Sequence, residues 1–224
     1  MDQGNTAFVL ISAALVLLMT PGLAFFYGGM VKAKSVVSMM MLSFGSLGLI
    51  GVLWVLYGYA VAFSNGTIDG KANPNFFGID GIFGIDTSFI GLGAQVADAT
   101  APTGAYPSLA FVAFQATFAI ITVALISGAI ADRAKFGAWM VFAGVWATLV
   151  YFPVANWVFN FTLADGKIVD GGWIVKDIGA IDFAGGTAVH INAGAAGLAL
   201  AIVLGKRFGF SKGIMQPHNV PLTL

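Results

Sequence analysis

The sequence predicts an all-α membrane protein with about five transmembrane helices. Three observations carry that prediction. Hydrophobic residues make up 58% of the 224 positions and charged residues only 9%, against about 25% charged in soluble domains. Mean hydropathy is +0.91. Five apolar runs are each long enough for a hydrocarbon core of roughly 30 Å, which takes about 20 helical residues. The 30 glycines fit closely packed membrane helices better than soluble ones, where an interior Gly costs about 1 kcal/mol. Cysteine is absent, so thiol chemistry, disulfides and Cys-based metal sites are excluded. The formal charge is zero, with no basic patch to suggest nucleic acid.

The first run, 7–30, ends at Lys32 and Lys34. Its length, and Asp2 in place of a basic start, separate it from a signal peptide. Thr20-Pro21-Gly22 is expected to loosen or kink it, because Pro removes a backbone donor. The second run, 36–63, carries no charge and is spaced by Gly45, Gly48, Gly51 and Gly58. From Asn65 to Ala105 the chain turns polar, with Asp69, Asp80, Asp86, Asp98, Pro74 and Pro102. This reads as an aqueous loop with a short apolar element near Phe89 to Leu92. The third run, 106–131, ends in Asp132-Arg133-Ala134-Lys135. The fourth, 136–161, is expected to be broken at Pro153. A polar stretch with Asp165, Lys167, Asp170, Lys176 and Asp177 leads to the fifth, 182–204, which ends at Lys206-Arg207. The closing residues from Pro217 read as the start of a further element.

Charge placement sets an expected orientation. Lys32, Lys34, Arg133, Lys135, Lys206, Arg207 and Lys212 follow odd-numbered runs, while the other connections hold only Lys71, Lys167 and Lys176. The positive-inside rule then puts the N-terminus outside.

The fifth run holds the residues that point to function: D-F-A-G-G-T-A-V-H-I-N-A-G-A-A-G, Asp182 to Gly197. On an α-helix Gly186 and Gly194 lie one turn either side of His190, with Thr187, Ala193 and Gly197 on that face. An ionisable ring on the smallest face of a membrane helix is a functional-site hypothesis, and an interhelical hydrogen bond explains it equally well. Asp182 precedes the helix and fits either a cap on free N–H groups or a substrate contact. Phe114 and Phe118, one turn apart with Phe111 on their stripe, suit packing or lipid contact on their own residues. One intramembrane His without Cys or Glu gives no catalytic set, so an enzyme is not expected.

Five motifs together carry a resemblance. They are T-P-G-L-A-F-F-Y-G-G-M at Thr20 to Met30, F-Q-A-T-F-A-I-I-T at Phe114 to Thr122, A-D-R-A-K-F at Ala131 to Phe136, the Asp182 stretch, and G-K-R-F-G-F with P-H-N-V-P near the end. The chain resembles the Amt/Mep/Rh ammonium transporter family over nearly its whole length, as the N-terminal half of a bacterial member. The resemblance implies one inverted repeat of an eleven-helix fold, assembly as a homotrimer in the plasma membrane, no cofactor, and PII-type regulators for the full-length protein. It implies an outer ammonium site at Phe118 and Phe159, with Asp182 holding the pore mouth in shape, the Ala184 carbonyl included. It further implies a gate of stacked rings at Phe114 and Phe118, a pore histidine at His190 and an inner aromatic constriction at Phe26. Many bacterial members have Trp where this chain has Phe159, which offers a weaker face to a cation. Trp157 points about 160° elsewhere on a helix. The second histidine of the family lies beyond Leu224. Two function classes stay open: transport of ammonium or ammonia, and ammonium sensing with little flux, which flux into vesicles separates; a truncated, non-conducting fragment is the further alternative.

Overall fold

The computed structural model describes residues 1–68, 70–97, 105–164, 166–207, 210 and 216–224. Asp69, Asp98, Pro102, Asp165, Phe208, Gly209 and Lys212 lie outside the described residues. Among the described residues, five helices are long and apolar enough to cross a membrane: Gln3–Met30, Ala33–Ala62, Ser108–Ile130, Phe136–Phe159 and Gly186–Leu204. The first span starts earlier than its apolar run because Asp2 caps it, its carboxylate accepting the Asn5 N–H at 2.7 Å. That helix is continuous through Pro21.

The third span is the hub. In it 61% of the membrane window is buried, against 17% in the first and fifth spans, so the other four pack around it. Polar groups buried in hydrocarbon need protein partners, and the spans supply them to one another. The Trp54 indole donates to the Val112 carbonyl at 3.1 Å, joining the second span to the third. Trp139 in the fourth span donates to Leu42 O at 3.0 Å, and Tyr27 in the first donates to Leu125 O at 2.9 Å. Trp54, Trp139, Tyr151 and Phe152 are the largest fully buried side chains.

Three spans contain a wide π turn: Trp54–Gly58, Ala147–Tyr151 and Gly186–Ile191. The second explains why Pro153 does not break the fourth span. A proline clashes with the carbonyl four residues back, and the wide turn immediately before it gives that carbonyl room. Phe152–Phe159 then continues as regular helix.

The polar connections are more ordered than a loop reading expects. Three antiparallel hairpins occupy them: β1 Thr67–Ile68 with β2 Lys71–Ala72, β3 Phe76–Ile79 with β4 Phe83–Asp86, and β5 Phe161–Ala164 with β6 Lys167–Gly171. Asp80-Gly81 sits in the β3–β4 turn, with Gly81 at φ +70°. The expected apolar element is a tight helical segment, Thr87–Leu92. The hairpins form one platform: Thr67 donates to Asp170 at 2.9 Å, Lys176 pairs with Asp170 at 3.1 Å, and Trp157 donates to the Ile82 carbonyl.

The opposite end gathers the basic connections. Arg133 donates to the Gly205 and Ala129 carbonyls, Arg207 pairs with Asp132 at 3.0 Å, and the His218 Nδ1 lies 2.9 Å from Val31 O beside the short helix Val220–Thr223. Burial pushes the Asp132 carboxyl up, but hydrogen bonds from Ser35 and Arg207 and the charges of Arg207 and Lys32 outweigh it and hold it below the usual range. Asp170 is held low in the same sense, with Thr67, Lys176 and the Gly171 N–H opposing burial. Both carboxylates therefore contribute stability that is complete above the ordinary Asp value of about 3.9 and lost as pH falls through the lower folded value. Thermal unfolding of the Asp132→Asn/Asp170→Asn double variant is expected to be less stable than the parent at neutral pH and to converge with it below about pH 4.

Candidate functional site

The site begins where the fifth span starts. That helix opens at Gly186, four residues after Asp182, and the intervening turn passes through Gly185 at φ +87°, a conformation L side chains rarely adopt. The turn folds the Asp182 carboxylate under the helix end. One oxygen accepts from the N–H groups of Gly185 and Gly186 at 2.7 and 2.8 Å, the other from Thr187 and Ala188 at 2.8 and 3.0 Å. Four donors fill the carboxylate, so Asp182 acts as the cap of this span. The π turn also corrects the α-helical face drawn around His190. Between Gly186 and His190 the chain takes one residue more per turn, and the His190 N–H reaches the Gly185 carbonyl at 2.9 Å.

Above this cap lies a cleft of about 500 Å³. Phe114, Phe118, Phe159 and Asp182 line it. Tyr59, Phe63, Phe89, Tyr106 and three buried amides, Gln95, Gln115 and Asn160, line it as well and were not anticipated. The Phe114 and Phe118 rings do not stack. Their centroids are 4.9 Å apart with planes at 86°, an edge-to-face pair that matches ring quadrupoles better than a sandwich. Phe159 sits 6.3 Å from Phe118 at 46°. Trp157 is outside the cleft, against Trp173 at 5.7 Å.

Phe118 closes the floor of this cleft and the roof of a second, apolar groove of about 340 Å³. His190, Ala184 and Phe26 line the groove, with Leu23, Ile121 and Val189. Ala184 thus belongs to the histidine side of Phe118, not to the outer cleft with Asp182. The imidazole is exposed along the open side of the groove and has no hydrogen-bond partner among the described residues. An interhelical hydrogen bond therefore does not explain it here. Phe26 packs 5.5 Å from Tyr27, whose hydroxyl holds the third span.

The sequence model of the Ammonium Transporter Family matches residues 7–224. The chain belongs to the ammonium transporter family. It is 56% identical to the ammonium transporter of Mycobacterium tuberculosis over 226 aligned residues, covering 100% of this chain and 47% of the relative. The corresponding figures for the ammonium transporter of Bacillus subtilis are 45% identity, 100% and 48%. The crystal structure of Saccharomyces cerevisiae Mep2 superposes with a TM-score of 0.76 at 31% identity, covering 100% of this chain and 45% of that one. A structure described as a sensor Amt protein gives a TM-score of 0.78 at 24% identity over 98% and 50%, a likeness that bears on the fold alone. The chain spans about half the length of the curated relatives it matches, as their N-terminal half, and its five spans are half of the eleven-helix fold.

Proposed function

We propose that this chain forms half of an ammonium-conducting pore in the plasma membrane, with its N-terminus outside. The observation that carries the reading is the position of Phe118, shared by a polar-rimmed aromatic cleft and an apolar groove that contains a single imidazole. Membership of the ammonium transporter family supports the substrate. The clustering of Lys32, Arg133 and Arg207 at the end opposite the hairpins supports the orientation.

In this reading ammonium enters the outer cleft, where the faces of Phe118 and Phe159 attract it by roughly 0.5 to 2 kcal/mol each and release it easily. Asp182 shapes the mouth through its four N–H bonds and does not ligate the ion. Passage needs the Phe114 and Phe118 rings to swing aside. Beyond them a cation is very costly in an apolar groove, so the ion gives up a proton to one nitrogen of the His190 imidazole, which passes its own proton on from the other, and neutral ammonia proceeds. The imidazole then accepts a hydrogen bond from ammonia at one nitrogen. Potassium and sodium cannot shed a proton and are excluded. Phe26 narrows the groove below. In a polypeptide of the relatives' length the second repeat faces the open side of the groove, and the assembly is a homotrimer open to a PII-type regulator. The chemistry is transport without an enzymatic step.

The test is flux into vesicles carrying the native polypeptide. An ammonium gradient is expected to drive transport, and His190→Leu is expected to cut it at least about tenfold or to admit potassium. Unchanged flux and selectivity in that variant removes His190 from the path.

A further inference from the structure

The basic end of the bundle holds a cavity of about 410 Å³ that the pore reading does not use. It lies between the start of the second span, the end of the third and the connection into the fourth. Lys32, Lys34, Ser35 and Ser38 supply two ammonium groups and two hydroxyls, while the buried Met39, Leu42 and Ile130 supply an apolar wall. The cavity carries one carboxylate among the described residues, Asp132, and that group is already engaged. It takes hydrogen bonds from Ser35 and Arg207, with the Arg207 guanidinium 3.0 Å away. Arg207 thus meets the charge of Asp132, and the two lysines leave the lining positive. Lys34 and Ser38 have no hydrogen-bond partner among the described residues, and both are exposed.

The cavity also runs out onto apolar surface. Met41, one turn past Ser38 on the same helix face, is 45% exposed, and Phe136, two residues past the Ala134 of the lining, is 41% exposed. In a bilayer these side chains meet acyl chains, while lysines at the end of a span reach headgroup level. A preference for basic residues at one end of a membrane bundle explains why lysines are here. It does not explain a cavity that sets them beside hydroxyls and over an apolar wall.

We propose that this cavity binds the headgroup of an anionic phospholipid. The phosphate accepts from the Lys34 ammonium and the Ser38 hydroxyl, Lys32 adds its charge, the glycerol portion rests on Met39 and Leu42, and the acyl chains run out past Met41 and Phe136. Basic pockets between spans are suited to such headgroups because attraction per lysine is substantial near the membrane surface and the phosphate hydrogen bonds are charge-assisted. A free phosphate ion uses the charge and leaves the apolar wall and outlet unused. A zwitterionic lipid uses the wall, but brings its own ammonium against the lysines. An anionic lipid matches both halves of the site.

The purified native protein in neutral detergent is titrated with short-chain phosphatidylglycerol, with phosphatidylcholine of the same chains, and with inorganic phosphate, and the first bound ligand is read by native mass spectrometry. Phosphatidylglycerol is expected to bind about tenfold or more tightly than phosphatidylcholine. Lys32→Gln/Lys34→Gln is expected to bring it down to the phosphatidylcholine level, and Lys32→Arg/Lys34→Arg to retain the preference. Lys71→Gln/Lys167→Gln removes the same charge from the exposed hairpins, across a hydrocarbon core of roughly 30 Å and so beyond a Debye length of about 10 Å, and is expected to leave binding within about twofold. The proposal is overturned if the two lipids bind alike, if the Lys32→Gln/Lys34→Gln protein keeps the preference, if the hairpin variant loses it equally, or if inorganic phosphate binds as tightly as phosphatidylglycerol.

Discussion

Replacing Asp182 with Ala is expected to unfasten the fifth span, lowering thermal stability by about 3 kcal/mol and flux by tenfold or more. The carboxylate satisfies four backbone N–H groups at the start of the helix, which have no intrahelical acceptor of their own. Capping residues typically contribute about 1 kcal/mol through one or two bonds, and here the acceptor is charged and the bonds are twice as many. Asp182→Asn separates shape from charge. Its amide oxygen can keep one pair of donors, but its NH2 then faces the other pair, so it is expected to fall nearer to Ala than to the parent. Stability is read from thermal unfolding in detergent, and flux from vesicles. A stable Asp182→Ala protein with normal flux shows that the turn holds itself.

Gly172→Ala is expected to cost about 3 kcal/mol, a similar loss from an opposite cause. Gly172 has an ordinary backbone conformation, so conformational strain is not at issue. A Cβ there would sit 2.2 Å from the Asn156 carbonyl oxygen and 2.3 Å from the Trp157 Cα, both of which are backbone. Neither can yield without moving the end of the fourth span. That end carries Phe159 and is tied to the second span by Asn156 and Asn160, whose amides donate to the Ser64 carbonyl at 3.0 and 2.9 Å. The substitution is therefore expected to disturb the Phe118–Phe159 pair as well, so ammonium affinity should fall with stability. Substitution at Gly137, where a Cβ meets nothing within 4 Å, is the matched control and should be near neutral.

The five spans were legible because membrane thickness sets their length and lipid sets their composition, and neither depends on tertiary detail. Asp182 as a cap was also legible, since an Asp before a Gly-rich helix start is a local signal. The π turns were not. Nothing in W-V-L-Y-G or A-T-L-V-Y departs from an α pattern, and the extra residue is set by neighbouring spans. The β3–β4 hairpin was signalled by Asp80-Gly81 between apolar residues, but the surrounding acids and glycines made the segment read as loop. Phe159 and Ala184 entered through the resemblance alone, because no periodicity joins residues on different elements. Gln95 could not be found at all from the chain, since an amide in a polar connection becomes buried only once the left-handed turn at Gly91 and Leu92 lays it on the third span.

The wide turns of the second and fourth spans sit opposite one another. Tyr57 and Thr148 share a hydrogen bond of 2.8 Å across them, and a Cβ at Gly58 would lie 2.6 Å from the Phe152 ring. Two rods with matching swellings behave like meshed teeth: axial slip of either one drives a bulge into a straight stretch of the other. The pair is keyed against axial slip, so the gating proposed for Phe114 and Phe118 is expected to proceed by ring rotation with these two spans in place.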